Sequence, residues 1–243
     1  MSENISSGSQ PTVADLDRPL YTPIKRRSFF MYAGATAGAT ALVLAGCSKD
    51  DNNSPGMVNV GTGDVGVLNY AYALEQLEAD FYTKVRAGSY YTTSATTVEK
   101  QILDDLYYHE VIHRDFFRAA ITAAGATPIK ALETVYPNGT FDTKTNVLNT
   151  AKAFEDLGVA AYNGAARYIT TAQYLFIAGK IVSVEARHAA VIRDLLSEGS
   201  FVGNDIVDIA GNSLEMSKLP SVVVTTANSF LADGSKLNVS GLG

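Results

Sequence analysis

The sequence predicts an all-α protein: a four-helix bundle with a long crossover between its second and third helices and a mostly irregular C-terminal extension. Three observations predict it. Four stretches between residues 65 and 200 repeat apolar side chains at helical spacing, with no strand signal between them. The links between the first and second stretches and between the third and fourth are short, whereas residues 125–143 form a long connection holding Pro128, Pro137 and Asn138-Gly139. The residue pattern of the first two stretches returns in the last two.

The chain opens on a segment that reads as an address rather than a fold. Arg26-Arg27-Ser28-Phe29-Phe30 precedes an Ala- and Gly-rich apolar run that ends Leu44-Ala45-Gly46-Cys47. A basic region, an apolar region and small residues before a cleavage point are the parts of an export signal. The paired arginines resemble a twin-arginine signal, although Met31 and Tyr32 stand where a Lys is preferred. Leu44-Ala45-Gly46-Cys47 resembles a lipobox, so residues 1–47 are expected to be a signal peptide and Cys47 the lipidated N-terminus. Cys47 is the single cysteine, which leaves no intrachain disulfide and no Cys-rich zinc site. A membrane anchor through that lipid is therefore expected, at the outer membrane or cell surface, otherwise on the periplasmic side. Residues 48–64 begin Ser48-Lys49-Asp50-Asp51-Asn52-Asn53-Ser54-Pro55-Gly56, polar and turn-rich, and are expected to form a flexible tether.

The first helix is expected from about Val65 to Ala87, with Leu68, Tyr72, Leu74, Leu77 and Phe81 on its apolar side and Gly88 at its end. The second runs from about Thr97 to Ala124, with Glu99 in its first turn and Gly125 beyond its end. The third runs from about Thr145 to Ile169 and the fourth from about Ala172 to Ser197. Short links make each pair an antiparallel hairpin, and the long link permits a crossover. Residues 201–243 form an extension packed on the bundle, in which Leu219-Pro220-Ser221-Val222-Val223-Val224 reads as a strand or a short packed segment.

The formal charge is −6, and removing residues 1–47, with four basic and three acidic side chains, leaves −7. This balance gives no electrostatic help toward nucleic acid, which is excluded as a partner.

The chemistry is carried by few residues. Two of the three histidines, His113 and His188, stand three positions after a glutamate, in Glu110-Val111-Ile112-His113 and Glu185-Ala186-Arg187-His188. Residues i and i+3 share a helix face, so each motif can offer a carboxylate and an imidazole to one metal ion. A bundle core of this kind needs a carboxylate from each remaining helix as well. Glu75 and Glu155 supply them, in Leu74-Glu75-Gln76-Leu77-Glu78-Ala79-Asp80-Phe81-Tyr82 and Phe154-Glu155-Asp156-Leu157-Gly158-Val159-Ala160-Ala161-Tyr162. Glu75, Leu77 and Tyr82 fall on Glu155, Leu157 and Tyr162. Glu78 falls on Gly158, which has no side chain to bind with, so Glu75 is taken as the ligand and Glu78 as its neighbour. Tyr82 and Tyr162 can pack in the core and hydrogen-bond a ligand carboxylate across the bundle. His109 points about a quarter turn from Glu110 and is expected to support the ligands. Clustered buried carboxylates repel, and bound cations or the side chains of Arg114 and Arg187 could answer that charge.

On these motifs the chain resembles the ferritin-like superfamily over about residues 65–200, and is similar to bacterial and plant ferritin-like domain proteins that include desiccation-related proteins. The resemblance implies a dinuclear metal centre held by Glu75, Glu110, His113, Glu155, Glu185 and His188. A carboxylate-rich set suits two Fe ions, with Mn as the alternative. Glu110 and Glu155, or their symmetry mates, are expected to bridge the metals. O2 or peroxide would be the small-molecule partner of a ferroxidase or oxidoreductase. A dimanganese catalase-like enzyme and an envelope stress protein with structural metal are the other readings. A lipid on each subunit does not suit a closed storage cage, which leaves a small homo-oligomer.

Overall fold

The computed structural model describes residues 56–242. The expected signal peptide, with Cys47, and the first part of the expected tether lie outside the described residues. A short strand β1 (Val58–Asn59) leads into α1 (Gly63–Ala87). A π-helical turn at Tyr90–Ser94 turns the chain into α2 (Thr97–Ala123), and α3 (Lys144–Ala165) follows the crossover. A 3-10 turn at Ala166–Tyr168 joins α3 to α4 (Ala172–Leu196). The extension holds a short helix α5 (Pro220–Ala227), a 3-10 turn (Asn228–Phe230) and a strand β2 (Leu237–Asn238).

Local chemistry sets these boundaries. Thr96 and Glu99 close a reciprocal capping box at the start of α2, and the Thr143 side chain caps α3. Beyond α2, Gly125 takes φ +76°, the left-handed conformation that terminates helices.

The crossover explains the topology. Running from residue 124 to 143, it tracks the outside of α1: the backbone N–H of Ile129 donates to Asn69, that of Leu132 to Gln76, and the Tyr136 hydroxyl to Asp80. The Tyr90 N–H then bonds the carbonyl of Phe141. The connection thus advances along α1 from its N-terminal to its C-terminal half. It delivers the chain to the start of α3 at the end of α1, which makes α1 and α3 antiparallel. The hairpins α1–α2 and α3–α4 form the tight packing of the bundle.

The tether expected over residues 48–64 stops being one by Val58: Val58 and Val60 are buried, and β1 pairs in parallel with β2. The extension is mostly irregular, as expected. Of the two readings of Leu219–Val224, a strand or a short packed segment, the second holds, because Pro220 at the first helical turn starts α5. Val223 and Ala227 are buried, and Phe230 stacks edge-on against Phe154 with ring centroids 4.7 Å apart.

Apolar packing lies at two levels along the helices. Phe81, Val85, Leu103, Leu148, Phe154 and Ile192 belong to the larger cluster, and Leu68, Tyr72, Phe117, Ile121 and Ile181 to the smaller. Along each of the four helices, the glutamates and histidines of the motifs fall between residues of these two clusters. A polar layer is thereby sealed between two apolar ones. Among the described residues no helix is long and apolar enough to cross a membrane.

Candidate metal centre

Each helix delivers its share of the polar layer. Glu75 comes from α1, Glu110 and His113 from α2, Glu155 from α3, and Glu185 and His188 from α4. The four carboxylates have no solvent exposure, although burying a carboxylate without a partner is among the costliest acts in folding. The structure brings all six side chains together as two groups of four, each with its ligand atoms within 4.8 Å of one another. One group is Glu75, Glu110, His113 and Glu185; the other is Glu110, Glu155, Glu185 and His188. The carboxylates common to both are Glu110 and Glu185, whereas Glu75 and Glu155 each belong to one. Of the expected sharing by Glu110 and Glu155, or their symmetry mates, the part that falls on Glu155 or Glu75 is corrected: the shared pair comes from the two Glu-x-x-His motifs, because α2 and α4 each bring a carboxylate to the middle of the layer.

Eight atoms of these six residues are buried without a hydrogen-bond partner: Glu75 Oε2, both oxygens of Glu110 and of Glu185, Glu155 Oε2, and the Nδ1 atoms of His113 and His188. They are close nonetheless. His113 Nδ1 lies 2.8 Å from Glu185 Oε1 and 3.5 Å from Glu75 Oε2, and His188 Nδ1 lies 2.8 Å from Glu110 Oε1 and 3.4 Å from Glu155 Oε2. These approaches are not aligned as hydrogen bonds; the donor atoms converge on common points instead. Convergent, dry, unpartnered oxygen and imidazole atoms are the arrangement a metal ion needs.

The oxygens not left free are tied down. The Tyr82 hydroxyl donates to Glu155 Oε1 and the Tyr162 hydroxyl to Glu75 Oε1, each across from α1 to α3 or back. Each of these glutamates thus has one oxygen fixed by a tyrosine and one presented to the centre. Burial first, and then Glu155 beside it, pushes the Tyr82 hydroxyl well above its ordinary value, so it remains a proton donor. Tyr162 is raised by burial and by Glu75 in the same way.

The electrostatics of the layer follow from burial and from the closeness of like charges. Burial raises Glu110, and Glu185 raises it further. Glu78 is raised by burial and then by Glu110, Glu185, Glu75 and Glu155. Burial alone would lower His113, but Glu110, Glu185 and Glu75 outweigh it and push the imidazole up to about 12. His188 moves in the same direction among Glu155, Glu110 and Glu185. Arginine does not answer the charge: Arg114 bonds its neighbour Asp115, and Arg187 bonds Ser183.

His109 sits outside the groups of four, partly exposed on α2. Its Nδ1 lies 2.8 Å from His188 Nε2. With His188 Nδ1 facing the carboxylates, a proton on Nε2 would be donated to His109, and the contact would hold the ring plane of His188. Burial lowers His109, and His188 and His113 lower it further, so it is suited to accept. Glu78 is also outside both groups, 4% exposed and turned toward Gly158. The six residues named from the sequence make up the two groups; the sequence pairs Glu78 with Gly158 only as repeat positions, and their contact in space is legible only in the structure.

A family model described as a ferritin-like domain matches residues 63–198 of the chain. None of the curated proteins matches.

Proposed function

The chain belongs to the ferritin-like domain family, and we propose that it holds a dinuclear metal centre, with iron as the resident metal, and uses it in iron oxidation or in consuming O2 or peroxide. The observation that carries this reading is the set of eight buried, unpartnered donor atoms in two overlapping groups of four. Two divalent cations would neutralise the four carboxylates of those groups, and would relieve the repulsion that raises Glu110.

In this reading Glu110 and Glu185 would be shared by the two ions, with Glu75 and His113 helping to hold one and Glu155 and His188 the other. A pair of redox-active metals would supply one-electron steps and open positions for an oxygen ligand. Tyr82 and Tyr162 would orient the two unshared carboxylates and present one oxygen of each. His109, beside His188 Nε2, would hold that ring with Nδ1 toward the centre. The apolar side chains on both sides, Phe81 and Phe154 at one level and Phe117 and Tyr72 at the other, keep bulk water out of the layer. Oxygen donors from carboxylates suit iron in two oxidation states better than they suit zinc or copper(I).

The domain is further proposed to work at a membrane surface, exported and tethered through lipid on Cys47. The support is the sequence Leu44-Ala45-Gly46-Cys47 after a basic and then apolar segment. Labelling with a radioactive fatty acid tests the tether: a Cys47→Ser protein that remains labelled in the membrane fraction defeats it. Anaerobic loading with Fe(II), followed by O2 and then peroxide consumption, tests the activity. Loaded protein that consumes neither faster than free Fe(II) defeats the catalytic reading.

A further inference from the structure

The bundle has two unlike ends. On the side of the polar layer that holds the smaller apolar cluster, residues 63–74, 114–130, 156–184 and 216–221 carry six basic and three acidic side chains, a net +3. The other described residues carry eight basic and seventeen acidic ones. With Glu75, Glu78, Glu110, Glu155 and Glu185 of the layer set aside, that remainder is still −4. A chain of formal charge −6 thus gathers an excess of positive side chains at one end. Local bonds hold these segments together. Asp64 at the start of α1 accepts from the N–H groups of Thr170 and Thr171 ahead of α4. The Lys218 N–H donates to the Ala160 carbonyl of α3, and Arg167 donates to the Gly164 carbonyl and to the Ser217 hydroxyl.

Pairing differs between the ends as well. Away from this end, Lys84, Arg86, Lys144, Lys152, Arg193 and Lys236 each lie within 3.3 Å of a carboxylate oxygen. At this end Lys130, Arg167, Lys180 and Lys218 are exposed and have no carboxylate partner among the described residues. Its three acidic side chains are already engaged: Asp64 by Thr170 and Thr171, Asp115 by Arg114, and Asp156 by Arg193. Apolar side chains stand exposed beside these cations. Leu175 and Phe176 lie in the first turn of α4 and Leu219 leads into α5. The Lys180 ammonium sits over the Phe176 ring, 4.4 Å from its centroid. Cations without carboxylate partners among exposed aromatic and aliphatic side chains suit a lipid surface, whose phosphates take the charge while the apolar groups enter the acyl boundary. Nucleic acid would answer the cations but not Leu175 and Leu219.

We propose that this end of the bundle docks onto an anionic lipid surface, with Arg167, Lys180 and Lys218 on the headgroups and Leu175, Phe176 and Leu219 at the acyl boundary. A lipid on Cys47 would bring the domain to a bilayer without orienting it, because the ten residues from Cys47 to Met57 reach up to about 36 Å. The charge chooses the orientation. The twelve residues from Phe176 to His188 lift the polar layer about 18 Å above the first turn of α4. The acidic end faces away, kept there by repulsion from the same lipids.

The probes are vesicles of phosphatidylcholine alone and of equal parts phosphatidylcholine and phosphatidylglycerol. The full chain carries Cys47→Ser, which removes the single cysteine and any lipid on it, so the outcome is independent of the tether that fatty-acid labelling tests. A polarity-sensitive fluorophore is placed through Gln173→Cys in one protein and, at the opposite end, through Val98→Cys in another; both positions are exposed. Sedimentation with vesicles does not decide, because the apolar run before residue 47 can hold the chain there by itself. Far-UV circular dichroism confirms the helices of each variant. On phosphatidylglycerol vesicles the label at position 173 is expected to shift to the blue and to be quenched by spin-labelled lipid, while the label at position 98 emits as in buffer. About 1 M NaCl, which shortens the screening length to about 3 Å, should abolish the shift. Lys180→Glu combined with Lys218→Glu should require at least about tenfold more lipid to produce it. No response at position 173, equal responses at both positions, or the same response on phosphatidylcholine alone overturns the proposal. So does an unchanged lipid dependence in the charge-reversed variant. A shift at position 173 that appears without vesicles as protein concentration rises overturns it in favour of a second copy of the chain.

Discussion

Tyr82 on α1 donates its hydroxyl hydrogen bond to Glu155 on α3, and this bond ties the two helices that do not form a hairpin with each other. It occupies one oxygen of Glu155 and leaves Oε2 for the centre. Its counterpart, Tyr162 to Glu75, does the same in the opposite direction.

Removing that hydroxyl leaves a buried carboxylate oxygen without its donor. Tyr82→Phe and Tyr162→Phe are each expected to destabilise the metal-free protein by about 1–3 kcal/mol. Urea unfolding checks this, with an unchanged slope expected because the surface exposed on unfolding does not change. A Tyr82→Phe protein as stable as wild type would mean the bond contributes nothing.

Metal uptake should release protons. In the metal-free protein His113 is pushed up to about 12, so it is an imidazolium at neutral pH, and His188 is raised in the same direction. A metal ion takes only the neutral ring, so each histidine must surrender a proton. At least about two protons per chain are therefore expected at pH 7, two from the imidazoles and more where the raised Glu110 carries one, with apparent affinity rising as pH rises. Calorimetry in buffers of different ionisation enthalpy counts them. Uptake without proton release would mean the histidines are neutral or unbound.

His109→Ala should weaken the metal on the His188 side while sparing the other. Loss of the partner that fixes a ligand's ring commonly costs about 10- to 100-fold in affinity. Competition titrations against a chelator resolve the two sites. Equal weakening of both sites would show that His109 does not act through His188.

Glu99 offers a test of the scaffold apart from the centre. Its carboxylate is held down to about 2, first by Lys144 at 2.8 Å, against burial, with the Thr96 N–H assisting. A group lowered in the folded state stabilises above its unfolded value, near 4.5, and that stability is lost as pH falls toward 2. Glu99→Gln is expected to cost about 1 kcal/mol at pH 7, discounted because Lys144 is half exposed. The difference from wild type should shrink as pH drops from 4.5 toward 2. Thermal melts across that range check it; a difference that grows toward low pH would reverse the assignment.

Much of this architecture is legible in the sequence, for physical reasons. The helices announce themselves because apolar side chains recur at helical spacing along α1 to α4, and the centre announces itself because i and i+3 geometry places Glu110 with His113 and Glu185 with His188. What stays hidden depends on contacts between distant segments. That Val58–Asn59 pairs with Leu237–Asn238 is set by tertiary register, not by local propensity. That Val222–Val224 is helical depends on Pro220 and on the surface that Val223 meets. Which carboxylates are shared is likewise invisible along the chain, since it depends on how far each helix projects into the layer. Gly164 is a further case: a Cβ there would fall 1.7 Å from the carbonyl oxygen of Lys218, whose N–H bonds Ala160. Spacing alone does not reveal that the extension lies so close against α3.

The central claim is that two metal ions are held by these six residues. Purified protein, stripped of metal and loaded anaerobically with Fe(II), should bind two ions per chain, and Glu110→Ala combined with His188→Ala should reduce this to one or none. Two ions per chain in the double variant would contradict the account.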